Sequence, residues 1–230
     1  MIISFNRETP SAREVDRLAT LSEYEVSLRK HGYSHIAGVD EAGRGPLAGP
    51  LVASAVVFEP GVLISGVDDS KRLSSRKREV LYGCILEHAL AVSSSIIDVA
   101  VLDILNVRGA ANEAMRRALR GLNGEADVAL IDGLKFEGVE LSHRFITGGD
   151  RKCHAIAAAS IVAKVTRDRI MGVLDRDYPV YGFSRNKGYP TKSHRLALEK
   201  CGPTPVHRMS FPAVRRIAGV TDQSLQRSGL

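Results

Sequence analysis

Residues 36–58 read Ile36-Ala37-Gly38-Val39-Asp40-Glu41-Ala42-Gly43-Arg44-Gly45-Pro46-Leu47-Ala48-Gly49-Pro50-Leu51-Val52-Ala53-Ser54-Ala55-Val56-Val57-Phe58. An apolar run ends in two adjacent carboxylates, breaks over glycine and proline, and resumes as a β-branched run: strand, loop, strand. A solvated turn is the ordinary fate of an Asp-Glu pair. The glycine-rich loop argues for a site instead, because glycine adopts positive φ and lets a ligand approach the backbone, while Arg44 offers a guanidinium to a phosphate. Burying Asp40 and Glu41 together raises their pKa values unless a cation offsets the repulsion, and a divalent metal is the most economical one. Adjacent strand residues point to opposite faces. The pair is therefore expected to share a site through a twist or bulge near Gly43.

Working outward, Val128-Ala129-Leu130-Ile131-Asp132-Gly133 repeats the design, an uninterrupted apolar run closed by a carboxylate and glycine, as a centrally buried strand would be. If it lies parallel to the first strand, Asp132 and Asp40 meet at one sheet edge. Ala91 to Val99 and Arg144 to Thr147 read as further strands. Gly148-Gly149-Asp150 precedes an Ala-rich helix from about His154 to Leu174, so Asp150 falls where the helix dipole favours a carboxylate, whether as a simple cap or as part of a site. In that helix Ser160, Lys164 and Asp168 form a polar stripe that is either a solvated face or site-directed. Leu102 to Leu122 reads as a helix broken at Gly109, and Ser11 to His31 as a helix opened by the capping box Ser11-x-x-Glu14.

The net charge of +6 is uneven: residues 1–140 carry −4 and residues 141–230 carry +10. That is the footprint of a polyanion-binding surface. Tyr189, between Lys187-Gly188 and Pro190, suits stacking on a sugar or base. Cys84, Cys153 and Cys201 suggest neither a disulfide framework nor a zinc module, and no apolar run approaches a bilayer span; a cytoplasmic, membrane-free monomer is expected. Gly43, Gly45 and Ala48, with Asp68 and Asp69 roughly twenty residues on, also fit a dinucleotide fingerprint, but that motif needs a helix where Pro46, Pro50 and a strand follow. A non-catalytic nucleic-acid-binding module would explain the basic third but not the carboxylates. Oxygen-only ligands suit Mg²⁺ or Mn²⁺, and with a polyanion they indicate metal-assisted phosphodiester hydrolysis.

The motifs Gly38-Val39-Asp40-Glu41-Ala42-Gly43-Arg44-Gly45, Asp69-Ser70-Lys71, Asp132-Gly133, Gly149-Asp150, Ala158 through Asp168, Lys187-Gly188-Tyr189 and His207-Arg208-x-Ser210-Phe211 together resemble ribonuclease HII, over nearly all of residues 36–211. The resemblance implies an α/β ribonuclease H-like fold, a mixed five-stranded sheet flanked by helices with a C-terminal helical section. It implies cleavage of RNA in RNA/DNA hybrids and at single ribonucleotides embedded in duplex DNA, leaving 5′-phosphate and 3′-hydroxyl. Asp40, Glu41, Asp132 and Asp150 match the family's acidic quartet, the first three as metal ligands. Gly43, Arg44 and Gly45 match the loop that senses the ribose 2′-hydroxyl, and Tyr189 the tyrosine that packs on the following sugar. Ser70, Lys71, Ser160, Lys164 and Lys187, within the same motifs, are expected substrate-binding residues. The corresponding division is an N-terminal helical extension (1–34), a catalytic core (35–177), a substrate-binding helical section (178–220) and a tail (221–230).

Overall fold

The stretch that decides the fold forms two paired strands in the computed structural model, which describes residues 1–3, 9–133 and 135–219; the expected tail lies outside them. In chain order the described strands and α-helices are β1 (Ile2–Ile3), α1 (Ala12–Leu21), α2 (Glu23–Lys30), β2 (Ile36–Ala42), β3 (Leu51–Val57), β4 (Leu63–Ile64), α3 (Ser75–His88), β5 (Ala91–Ile97), α4 (Val99–Arg120), β6 (Val128–Asp132), β7 (His143–Ile146), α5 (His154–Asp177), α6 (Phe183–Asn186), α7 (Lys192–Cys201) and α8 (Pro212–Ile217). None of the described helices is long and apolar enough to cross a membrane. Two units emerge from the packing: residues 1–42, 52–95 and 112–165 form the first, and residues 43–51, 96–111 and 166–219 the second.

The first unit is built on a mixed sheet of order β5-β3-β2-β6-β7. Strand β2 runs antiparallel to β3 and parallel to β6, and β6 runs parallel to β7. Central position explains the composition: β3 is buried at all seven residues and β6 at its first four, as apolar runs covered on both faces must be. Helix α3 and the first half of α5 bury Leu81, Ile85, Ile161 and Val162 with Val56 and Phe58. The alanines of α5 are small for a reason. At Gly38 of β2 an added Cβ would fall inside the carbonyl of Ala155 and the nitrogen of Ile156, so helix and strand backbones are nearly in contact there.

The N-terminal segment is part of this unit's architecture. Ser11 caps α1 by accepting from the Glu14 N–H (3.3 Å). Glu14 does not complete a reciprocal box; its carboxylate takes Arg17 at 2.7 Å and the Gly66 N–H at 2.7 Å. The expected single helix breaks at Ser22, and Glu25 on α2, 4% exposed, accepts from the Ala155 N–H (2.9 Å) and the Cys153 thiol (3.2 Å), capping α5 from another element.

In the second unit Leu47, Ala48, Met171, Tyr181, Phe183, Leu198 and Val214 form a separate core. Helix α4 does break, but at Asn106 (φ 57°, ψ 170°) rather than at Gly109. The Asn106 Oδ1 accepts from the N–H groups of Arg108 (3.0 Å) and Gly109 (3.2 Å) and so caps the helical segment that follows, while its positive φ ends the one before.

Gly38→Ala is expected to destabilise the protein by about 3 kcal/mol or more, because backbone on both sides of the clash must move. Urea unfolding measures it, and a loss no larger than that of an ordinary surface substitution would refute the close approach.

Candidate active site

Register places the first two carboxylates. Val39 of β2 pairs with Ile131 of β6, so Asp40 and Asp132, next along their parallel strands, leave the sheet side by side. Pairing between β2 and β3 is continuous from Ala37↔Val57 to Ala42↔Val52, so of the expected twist or bulge no bulge interrupts the strand between Asp40 and Glu41. Glu41 is carried on the other face of the strand and is half-buried, while Asp40 is 4% exposed. Even so, its charge reaches Asp40. Burial first, then Glu41, Asp132 and Asp150, push the Asp40 carboxyl well above the usual carboxylate range. The N–H of Glu41 donates to Asp40 Oδ1 (2.7 Å) and offsets part of this.

Asp150 lies in a single 3₁₀ turn, Gly149–Arg151, ahead of α5. The Gly149 N–H donates to Asp132 Oδ1 at 2.6 Å, tying the turn to the end of β6. A side chain at Gly149 would meet the Cδ1 of Ile156 and crowd Asp132, so the turn packs closely on both. Lys71 Nζ stands 3.3 Å from Asp150 Oδ2 with its side chain 76% exposed, so the lysine faces the acids as well as solvent. It is presented by a capped turn: Asp69 accepts from the Lys71 N–H (2.9 Å), and the Ser70 N–H donates to Ser160 Oγ (3.3 Å). Ser160 is 2% exposed and donates to Ala157 O (2.8 Å), so the polar stripe of α5 is not a solvated face at its start; Lys164 is half-buried.

Among the described residues no three acidic, histidine or cysteine side chains close on a single point. What they share is charge and donor type: four carboxylates, with oxygen the sole donor, gathered where their repulsion is felt. That chemistry fits a hard divalent cation.

The second unit holds the glycine loop and Tyr189. Arg44 and Gly45 are exposed and Gly43 is buried with φ +104°, where a Cβ would also meet Arg167 and Pro50 O. The loop is bonded through its backbone: Leu47 N–H to Gly188 O (2.8 Å), Gly49 N–H to Val206 O (2.8 Å) and Arg208 N–H to Leu47 O (2.8 Å). Tyr189 is 41% exposed, and its ring edge lies 3.6 Å from where a Gly45 Cβ would sit. Lys187 takes a left-handed conformation (φ 53°), its Nζ turned to Asp168 O at 3.3 Å. The Tyr189 carbonyl ends a chain of neutral imidazoles. Thr204 N–H donates to His207 Nδ1 (3.0 Å), which leaves His207 Nε2–H to donate to His194 Nε2 (3.2 Å) and His194 Nδ1–H to donate to Tyr189 O (2.9 Å). Burial, then the neighbouring His194, hold His207 down to about 4, which keeps the chain neutral.

Sequence reasoning missed three residues in this unit. Arg167 and Arg208 are both fully buried, and their guanidiniums bind carbonyls of the 43–51 loop. Asp103 likewise went unnoticed; its carboxylate accepts from the N–H groups of Met209 (2.8 Å) and Ser210 (2.9 Å), fixing the segment that bears Arg208. Arg167 and Arg208 lie inside motifs that point to a family, but an arginine among alternating polar residues carries no local sign of burial.

A sequence model for the family described as Ribonuclease HII matches residues 37–214. Ribonuclease HII of Clostridioides difficile strain 630 is 48% identical over 199 residues, spanning 86% of this chain and 78% of that protein. That of Acetivibrio thermocellus is 45% identical with the same shares. Among solved structures, ribonuclease H2 from Pyrococcus horikoshii OT3 superposes with a TM-score of 0.67 at 25% identity, over 80% of this chain and 97% of that one. Bst-RNase HIII in complex with Mn²⁺ gives 0.63 at 15% identity, over 94% and 77%, a likeness of fold. The mixed five-stranded sheet with flanking and C-terminal helices is thus the ribonuclease H-like fold.

The raised Asp40 pKa fixes the sign of a pH effect. At pH below the unfolded value of 3.8 both states hold the proton and no stability is lost. As pH rises past it the unfolded chain ionises first, so metal-free stability falls until the folded carboxyl also ionises. Asp40→Asn removes that loss. The metal-free variant is expected to melt higher than the parent at neutral pH, and to gain less when Mg²⁺ is added. A lower melting temperature for the metal-free variant would contradict the repulsion.

Proposed function

The chain belongs to the ribonuclease HII family, and from that premise we propose that it cuts the RNA strand of RNA/DNA hybrids and incises duplex DNA on the 5′ side of a single ribonucleotide, leaving 5′-phosphate and 3′-hydroxyl ends. Membership makes it a metal-dependent endonuclease. The observation that carries the finer reading is the buried Asp40 carboxyl, held among Glu41, Asp132 and Asp150, a repulsion that a bound cation would offset.

Asp40, Glu41 and Asp132 would hold Mg²⁺ or Mn²⁺, with Asp150 completing the acidic set; a pair of such ions supplies a more acidic water and neutralises the leaving oxygen. The protein's own groups do the rest. Lys71, exposed and turned to Asp150, meets a backbone phosphate, and Ser70 and Ser160 brace the turn that presents it. The exposed backbone at Arg44 and Gly45, with no Cβ at Gly45 to keep a sugar away and with Gly43 seating the loop on Arg167, reads the 2′-hydroxyl as both donor and acceptor. Tyr189 packs on the neighbouring sugar, and Lys187 and Lys164 add positive charge near the strand. The protein acts as a cytoplasmic monomer, and its +10 final third attracts the duplex.

Asp132→Asn should abolish cleavage of a duplex bearing one ribonucleotide while leaving duplex affinity largely intact, assayed at saturating Mg²⁺ or Mn²⁺ under single-turnover conditions; near-parental turnover would end the metal-ligand assignment. Wild-type binding should weaken with salt, with a log-log slope of about −0.9 for each phosphate neutralised. A slope near zero would show that the basic segment does not bind backbone.

A further inference from the structure

Arg167, on α5, is fully buried, and every part of its guanidinium is engaged. Nε–H donates to Pro50 O (2.9 Å), Nη1 to Lys187 O (3.0 Å), and Nη2 to Ala48 O (3.1 Å) and weakly to Met171 Sδ (3.6 Å). Its Cζ lies 6.0 Å from the centre of the Tyr189 ring, and its Nε and Cδ fill the space a Cβ on Gly43 would need. One planar fork therefore touches both ends of the glycine loop, the left-handed Lys187 and the tyrosine. Arg208 also binds the loop, at Arg44 O (3.3 Å), Gly49 O (2.8 Å) and Pro50 O (3.1 Å), but the ring beside it is Phe211, whose centre lies 5.6 Å from its Cζ. Burying two guanidiniums on carbonyl dipoles is expensive: burial, then Arg167, pulls Arg208 down to about 9. A unit that needed only packing would be served as well by apolar side chains.

We propose that Arg167 is a specificity-determining positioning residue, locking the Gly43–Pro50 loop to Lys187 and Tyr189 so that the two move as one reader of the ribose. This rests on the ribose-reading roles given above to the loop and Tyr189. Lysine cannot replace it, since one ammonium has neither the fork nor the planar face that spans three carbonyls and a ring.

The protein contains no tryptophan, so Tyr189→Trp supplies a single reporter that needs no activity. Adding Arg167→Lys to that background should lower the tryptophan's anisotropy and increase its quenching by acrylamide, with cooperative melting retained; Arg167→Gln, which keeps a planar pair of donors without the charge, should restore part of the order. In single-turnover cleavage of a duplex with one ribonucleotide, Arg167→Lys should cost about 10- to 100-fold in rate, the scale of a small misplacement. Duplex affinity should change little. Combined with Tyr189→Ala the effect should be far less than multiplicative, because both changes remove one device. Unchanged anisotropy and quenching, or rate effects that multiply fully, would overturn the proposal. Wild-type cleavage by Tyr189→Ala would instead show that Tyr189 does not read the sugar, ending the specificity role while the fluorescence still decides whether Arg167 holds the segment.

Discussion

Parallel pairing of β2 with β6, Val39 against Ile131, is the constraint from which the acidic cluster follows. In a parallel pair the strands end at the same edge, so two carboxylates one residue beyond the paired positions cannot avoid each other. The fold pays for that placement with a carboxyl held far above its usual range. It also recruits backbone to moderate it: the Glu41 N–H on Asp40, the Gly149 N–H on Asp132, and beside them the ammonium of Lys71 on Asp150. None of these neutralises all four acids, which is why the cluster reads as built for a cation from outside the chain.

Much of this was legible beforehand. The apolar runs at 36–39 and 128–131 could be only buried strands, and once parallel they fixed Asp40 beside Asp132. The departures lie where a competing partner, tertiary or local, overrides the simplest signal. The spacing Ser11-x-x-Glu14 predicts a reciprocal box, but Gly66 and Arg17 compete successfully for Glu14. Glycine at 109 looked like the helix breaker, yet Asn106 carries both the positive φ and the capping oxygen, and a break needs both. A twist or bulge near Gly43 was expected to let Asp40 and Glu41 share a site; no bulge interrupts the strand, and charge acts across it all the same, since electrostatic coupling in a poorly solvated site extends beyond hydrogen-bond reach.

The buried arginines were beyond sequence reading for a related reason. Arg167 stands in Lys164-Val165-Thr166-Arg167-Asp168-Arg169, which by composition is a solvated helix turn. Its burial depends on carbonyls supplied by residues 48, 50 and 187, more than a hundred positions away on one side and twenty on the other. No periodicity encodes an acceptor set assembled from loops; only the presence of Gly43 and Gly49, whose missing side chains make room for the guanidinium and Met171, hints that something large lies beneath.

Helix α5 shows the two demands in a single element. In the first half the backbone at Ala155 must approach β2 at Gly38, and alanines at 155, 157, 158 and 159 stand among the bulkier Ile156, Ile161 and Val162 that fill the core. In the second half Arg167 and Met171 are long, because there the helix fills the spaces left by glycines and reaches loop carbonyls. The first half contributes apolar contact, proportional to buried area and tolerant of isosteric exchange; the second contributes directed hydrogen bonds, which tolerate none. A conservative change is therefore a different thing in each half: Ile161 exchanged for Val keeps the chemistry that matters there, whereas Arg167 exchanged for Lys keeps charge and length and loses the geometry that gives the residue its function.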